Sequence, residues 1–355
     1  MPIDDETKML GELILEEYFP DAKKFRPRTV QPSKLMYIND EGVDKRNEWL
    51  EDEAVEFSVD IGNTKLIDLE PEPITVPIST VDASSAQIGE TNRGVISAIK
   101  VAIWKHEPEK KPELRRFGPY LTHITPNNVS SLYNYFRHNV FQVRVGKPPQ
   151  LHKMTDQLRN FFERLGQRLA SEIIDNGIVL YDGSLRGGTV DTPLKMLRDS
   201  IDCAHARSNS VVGISKNSTL TTSDGNRILG MLDDVPQPCV KDVHDVVSPK
   251  IKRQIIGRVH IAKFTANGLS FRTDVAPATR KDCLEVLGLL EHNATFYGGY
   301  PDPFREACIH AYFTPDEILT IQNMAVKKYD MEVVRTFDVR RCILGPLGDD
   351  SKAGI

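Results

Sequence analysis

Two stretches far apart in the chain follow one grammar, and together they restrict the fold more than any other feature. ISTVDASSAQIG (78–89) and IVLYDGSLRGGT (178–189) each run from aliphatic residues into an aspartate, Asp82 or Asp182, and then into small residues. Each reads as a buried strand that delivers its acid where apolar character gives way. A carboxylate in that position needs a hydrogen-bond network, a cationic partner or a metal ion, because burying an unpaired charge is costly. Asp-Gly and Asp-Ala-Ser-Ser are also good turn sequences, so either aspartate alone could simply cap a turn.

Between the two strands lies a long helical stretch, from near Pro149 to the Asn176-Gly177 stop signal. Met154, Leu158, Phe161, Phe162, Leu165, Leu169 and Ile173 fall mostly at three- and four-residue steps, which gives the helix one apolar stripe. Glu163 sits at the edge of that stripe. Gly166 and Ala170 follow it on the helix, and such small side chains let a backbone approach a sheet closely. Glu163 therefore either points toward a sheet edge or is a solvated flank residue.

The remaining chain falls into three parts: an N-terminal appendage and linker (1–74), a main domain (75–328), and a C-terminal strand with a polar tail (329–355). LGELILEEYF (10–19) has helical spacing. GVISAIKVAIW (94–104) alternates like a half-buried strand and pairs with the first Asp strand as a hairpin. HEPEKKPELRR (106–116) reads as a charged loop, YLTHI (120–124) as a strand, VSSLYNYF (129–136) as a short helix and NVFQVRVG (139–146) as a strand. After Asp182 come helix 192–206, strand 210–216 ending on Lys216, a helix near 224–232, strands 257–264 and 269–275, and helices 280–293, 298–313 and 315–328. A short strand is expected near 331–337. Hairpins first and alternating strands and helices later predict an α/β mixed sheet flanked by helices rather than an all-parallel one.

Bulk properties narrow the function. A formal net charge of −5 does not advertise nucleic-acid binding, although a local basic groove can sit on an acidic protein. No apolar run is long enough for a membrane span, and MPIDDETKML lacks the basic and apolar regions of a signal peptide. Five cysteines, an odd number with no CxxC pair, point to a reducing cytoplasm and away from a zinc ribbon.

If the two Asp strands are neighbours in one sheet, Asp82 and Asp182 meet at one edge, and Glu163 completes an oxygen-rich pocket. Hard divalent ions such as Mn²⁺ or Mg²⁺ prefer such ligands, and clusters of this kind serve metal-assisted phosphodiester hydrolysis. The order Asp strand, hairpin, Glu helix, Asp strand resembles the ribonuclease H-like arrangement of metal-dependent nucleases. More narrowly, the chain resembles the NurA nuclease family, which works with HerA-type hexameric DNA translocases in DNA end resection. The matching pieces are VDASSAQIG, RNFFERLG, VLYDGSL, GISK, FRTDVAP around Asp274 and GYPDPFREACIHA, in that order over about residues 75 to 325.

That resemblance implies Asp82, Glu163 and Asp182 as Mn²⁺ ligands, Tyr300 as a site tyrosine, and a homodimer that sits on the translocase and acts on single-stranded DNA and duplex ends. It implies 5′-to-3′ exonuclease and single-strand endonuclease activity. The family's Ala-His pair is Ala307-Cys308 here, with His310 two residues later, so His310 is a candidate catalytic and metal-binding residue on altered helix phase. Ala83 stands where the family usually carries glycine. Lys216 could neutralise a phosphate oxygen or pair with one of the acids. Arg186, Arg227 and Tyr181 are candidate DNA contacts. Cys308 also supports a different reading, an adaptor that binds the translocase and DNA without efficient cleavage. A kinase-like phosphate loop at DGSLRGGT is a third, weakened by the absence of a Walker-type GK[ST].

Overall fold

A computed structural model describes residues 35–39, 55–56, 64–188, 192–216, 220–221 and 230–336. Its strands are β1 (Leu35–Asn39), β2 (Val55–Glu56), β3 (Leu66–Asp68), β4 (Ile78–Thr91), β5 (Gly94–His106), β6 (Glu113–Ile124), β7 (Ile178–Asp182) and β8 (Ser210–Ser215). They continue as β9 (Leu220–Thr221), β10 (Cys239–Asp242), β11 (Arg258–Lys263), β12 (Ser270–Ala276), β13 (Phe296–Tyr297), β14 (Tyr300–Pro301) and β15 (Glu332–Thr336). The main helices are α1 (Val129–Asn134), α2 (Met154–Glu172), α3 (Leu194–Ala206), α4 (Cys283–Asn293), α5 (Asp302–Ala311) and α6 (Pro315–Tyr329).

The centre of the sheet has the order β6-β5-β4-β7-β8. The first three strands form an antiparallel meander, and β4, β7 and β8 run parallel. This mixed arrangement with helices on its faces is the α/β, ribonuclease H-like fold that the element order predicts. Antiparallel strands β12, β11, β10 and β3 extend it beyond β8. The long strand β4 has two partners on one edge: β7 along residues 78–81, and β1 at Glu90, where β15 adds in parallel. The sheet thus draws strands from both flanking segments, Leu66–Asp68 before the main domain and Glu332–Thr336 after it.

Each face of the sheet buries its own core. Val81, Val101, Val179 and Tyr181 pack under α2 with Phe161 and Leu158. Ile178, Leu180, Val212 and Ile214 pack on the other face with Val286 of α4 and Phe304 of α5. The apolar spacing read in the sequence aims α2 at the sheet, and its small residue is what permits contact. A Cβ on Gly166 would lie 2.6 Å from Val81 Cγ2 and 3.1 Å from Val101 Cγ1. The helix spans Met154–Glu172 and so ends before the Asn176-Gly177 signal; Asn209 donates through Nδ2 to the carbonyls of Ser171 and Ile174 around that end.

Several expectations change. Residues 139–146 form no strand; a π-helix spans Tyr135–Val140 and the chain then runs irregularly. The alternation there is satisfied by folding back: the Arg137 Nε donates to Arg144 O at 3.0 Å, and Gly146 N to Asn134 Oδ1 at 2.9 Å. Phe136 and Phe141 both reach the ring of Phe161, at 4.9 and 5.7 Å between centroids. The charged loop is shorter than expected, since β6 already begins at Glu113 as an edge strand with a polar outer side. Strands β3 and β10 have no counterpart in the sequence reading. The helices expected at 10–19 and, in its greater part, near 224–232 lie outside the described residues.

Because Gly166 is the point of closest approach between α2 and the β4–β5 hairpin, Gly166→Leu is expected to destabilise the protein by about 1–3 kcal/mol through overpacking. Urea unfolding measures this; an unchanged midpoint would place α2 elsewhere.

Candidate functional site: an acidic pocket where the Asp182 strand ends

The parallel register between β4 and β7 runs from Ile78 opposite Ile178 to Val81 opposite Tyr181. The next pair is Asp82 and Asp182, so the two acids stand side by side at the point where β7 ends, on strands about 4.8 Å apart. Alternation along a strand then settles their direction. Val81 and Tyr181 face α2, so the aspartates turn to the opposite face, the side of α5. There the Tyr300 hydroxyl donates to Asp182 Oδ1 at 2.8 Å. Lys216, the residue after β8, places Nζ 2.7 Å from Asp182 Oδ2 and 5.5 Å from the centroid of the Tyr300 ring. Tyr300 is itself held between Phe304 and Phe271, at 5.1 and 5.3 Å between centroids.

The acids influence one another. Burial, then the charges of Asp182 and Glu163, push the Asp82 carboxyl up to about 7, against the pull of Lys216 and Arg159. Burial also raises Glu163; Arg159 and Arg164 oppose this and Asp182 adds to it. For Lys216, burial works to lower the ammonium, and the charge and hydrogen bond of Asp182 more than offset it, so its affinity for the proton rises. The three carboxylates thus share one electrostatic neighbourhood. They do not make a ready metal cage: among the described residues no three His, Cys, Asp or Glu side chains stand together as a ligand set. The oxygens have other partners: Lys216 and Tyr300 take the two oxygens of Asp182, and Gln167 Nε2 donates to Glu163 Oε1 at 3.5 Å.

The turn that follows Asp182 is tied down by residues whose role the sequence reading missed. Arg272 and Asp274 on β12 are both 0% exposed. Arg272 donates Nε and Nη2 to the two oxygens of Asp274 at 2.9 Å each. Asp274 Oδ2 also accepts from Leu185 N at 2.9 Å, and Gly183 N donates to Ile214 O at 2.9 Å. Gly213 allows this closeness, because a Cβ there would lie 2.6 Å from Gly183 O. The available signal was SFRTDVA itself, an Arg and an Asp two apart on one face of a short strand. Arg159 was missed as well; it lies one helical turn before Glu163, at the spacing of same-face neighbours.

Other candidates fall differently. Tyr181 is 1% exposed in the core beneath α2 and presents no face for a base to stack on. His310 faces Arg116, Lys100 and Glu306 rather than the acids. Burial first, then the two cations, lower its affinity for the proton, and its Nε2 is 3.9 Å from Glu306 Oε2. Cys308, about 200° of helix away, is the α5 residue within electrostatic reach of Lys216. Arg186 donates Nε to Gln254 Oε1 at 3.0 Å in the turn after Asp182, and Arg227 lies outside the described residues. Cys203, Cys239, Cys283 and Cys308 form no disulfide among the described residues, and no described helix is long and apolar enough to cross a membrane.

The chain matches no family profile and no curated protein. Its fold resembles solved NurA structures. The crystal structure of the NurA nuclease from Sulfolobus solfataricus is 15% identical, with a TM-score of 0.46 over 76% of this chain and 88% of that one. A NurA structure bound to dAMP and manganese is 13% identical, with a TM-score of 0.44 over 76% and 92%. The catalytic domain of human Endonuclease V is 14% identical, with a TM-score of 0.31 over 75% and 92%. Similarity at this level says nothing of substrate or activity, which rest on the site.

The elevated Asp82 carboxyl predicts a pH dependence. The folded state holds this proton to about pH 7 and the unfolded chain only to about 3.8. Stability from this group is therefore complete at low pH and lost as pH rises through 7. In EDTA, Asp82→Asn should gain stability over the wild type progressively from about pH 4 to pH 8, by at most roughly 4 kcal/mol. Urea titrations across that range measure it; a pH-independent difference would contradict the shared acidic pocket.

Proposed function

We propose that the chain is a nuclease-like adaptor that binds single-stranded DNA and duplex ends beside a hexameric HerA-type translocase, as a homodimer in the cytoplasm, and cleaves phosphodiesters weakly. The observation that carries this reading is Lys216 on Asp182 at 2.7 Å, in a pocket whose acids do not converge as a metal ligand set among the described residues. An ammonium in that place satisfies the charge a divalent ion would otherwise supply, and Tyr300 occupies the other oxygen. The DNA and translocase come from the motif resemblance, in which VDASSAQIG, RNFFERLG and VLYDGSL supply the acids.

A second reading is favoured by one specific observation. Burial and mutual repulsion raise Asp82 to about 7, and a site strained by like charges is relieved by a cation. On that reading the chain is a Mn²⁺-dependent deoxyribonuclease, with Mg²⁺ as a substitute, working 5′ to 3′ and within single strands. Asp82, Glu163 and Asp182 are then its metal ligands, and Glu163 and Lys216 must shift to let the acids converge.

A labelled single-stranded oligonucleotide separates the two. The adaptor reading expects binding without metal, slow cleavage at most with Mn²⁺, and equal binding by Asp182→Asn. Rapid Mn²⁺-dependent degradation that Asp182→Asn abolishes would replace it with the nuclease reading. Failure of the wild type to bind DNA would remove both.

A further inference from the structure

A strand of phosphates approaching three carboxylates is repelled unless cations line the approach. Lys216 and Arg159 are the two cations that act on both Asp82 and Glu163. Lys216 is committed to Asp182. Arg159 is not. Its Nη2 donates to the adjacent Asn160 Oδ1 at 3.0 Å, its Nε is buried without a hydrogen-bond partner, and among the described residues it forms no ion pair.

The Nε of Arg168 on the same helix is buried without a hydrogen-bond partner too, but the terminal groups of the other α2 arginines are engaged. Arg164 Nη1 donates to Gln167 Oε1 at 2.7 Å. Arg168 lies 3.9 Å from Asp199 Oδ2 and stacks over the Phe141 ring at 4.9 Å. Arg159 thus sits beside Asp82, Glu163 and Asp156 without closing on any of them. A buried N–H left unmade costs about 1–3 kcal/mol. The planar fork of a guanidinium is matched by two oxygens of one phosphate.

We propose that Arg159 is the phosphate-contacting residue of this site, presenting its terminal nitrogens to the backbone of a bound DNA strand one helical turn from Glu163. The proposal rests on the reading that the acidic pocket meets DNA, and it names the group that makes the meeting possible. It holds whether or not the strand is cut. RNFFERLG begins with this arginine, but the resemblance gives a role only to its glutamate.

Fluorescence anisotropy of the full chain with a labelled oligothymidylate, in EDTA over a KCl series, tests it without cleavage. Arg159→Gln should weaken binding roughly tenfold. It should also flatten the plot of log affinity against log salt by about 0.7, the share of one single-strand phosphate. Arg159→Lys should keep the slope while losing affinity, because the charge stays and the fork is gone. Arg93, in the β4–β5 turn and about 30 Å along the strand from Asp82, serves as the control, and Arg93→Gln should change neither quantity. Unchanged affinity and slope in Arg159→Gln, with the wild type binding, would overturn the role of Arg159 and leave the functional reading standing. If Arg159→Gln does not fold, Arg159→Lys decides, and wild-type affinity in that variant overturns the forked contact. A wild type that binds no DNA overturns the inference together with the reading it rests on.

Discussion

Two carboxylates standing side by side on adjacent parallel strands are the constraint from which the rest of this molecule follows. The register that sets Val81 beside Tyr181 sets Asp82 beside Asp182 one step later, and neither acid can turn away without breaking the alternation that buries its neighbours. The structure answers the repulsion locally. Lys216 closes on Asp182 from the end of the next strand, Tyr300 donates from the α5 side, and Asp82 holds its proton to about pH 7. The buried Arg272–Asp274 pair, which reaches Leu185 N, keeps the turn after Asp182 in place. Removing one member of such a pair leaves the other as an uncompensated buried charge.

Much of this was legible before any coordinates. The strand-then-Asp pattern located both acids, and the adjacency of their strands, only a condition in the sequence, is what the β4–β7 pairing supplies. The three- and four-residue spacing of Leu158, Phe161, Phe162 and Leu165 described the face of α2, and Gly166 marked the point where the helix touches β4. These features are local, and a period-two or period-3.6 pattern reports them directly. The partner of Lys216 was not legible, because the same lysine at a strand end serves a phosphate or a carboxylate equally well. Coordinates resolve it as an ion pair with Asp182.

The misreadings share a cause. NVFQVRVG alternates like a strand, but its apolar residues satisfy themselves against Phe161 through a π-helix and a fold back on Arg137. Tyr181 was a candidate for stacking because tyrosine is amphipathic, yet its strand position turns it under α2. His310 was a candidate because it is a histidine near a family motif, yet helix phase sends it toward Arg116 and Glu306 and leaves Cys308 by Lys216. In each case residue type was informative and direction was not. Direction depends on which face a neighbouring element covers, and that is settled by contacts remote in sequence.

The account turns on Lys216 holding the position of positive charge at Asp182. Electron paramagnetic resonance titration of Mn²⁺ into the wild type and into Lys216→Met tests this directly, since free and bound ion are distinguished without reference to turnover. Weak or undetectable binding by the wild type, strengthened by at least about tenfold in Lys216→Met, is the expected result, because the substitution removes a competing charge from the pocket. Tight wild-type binding that Lys216→Met leaves unchanged would contradict it.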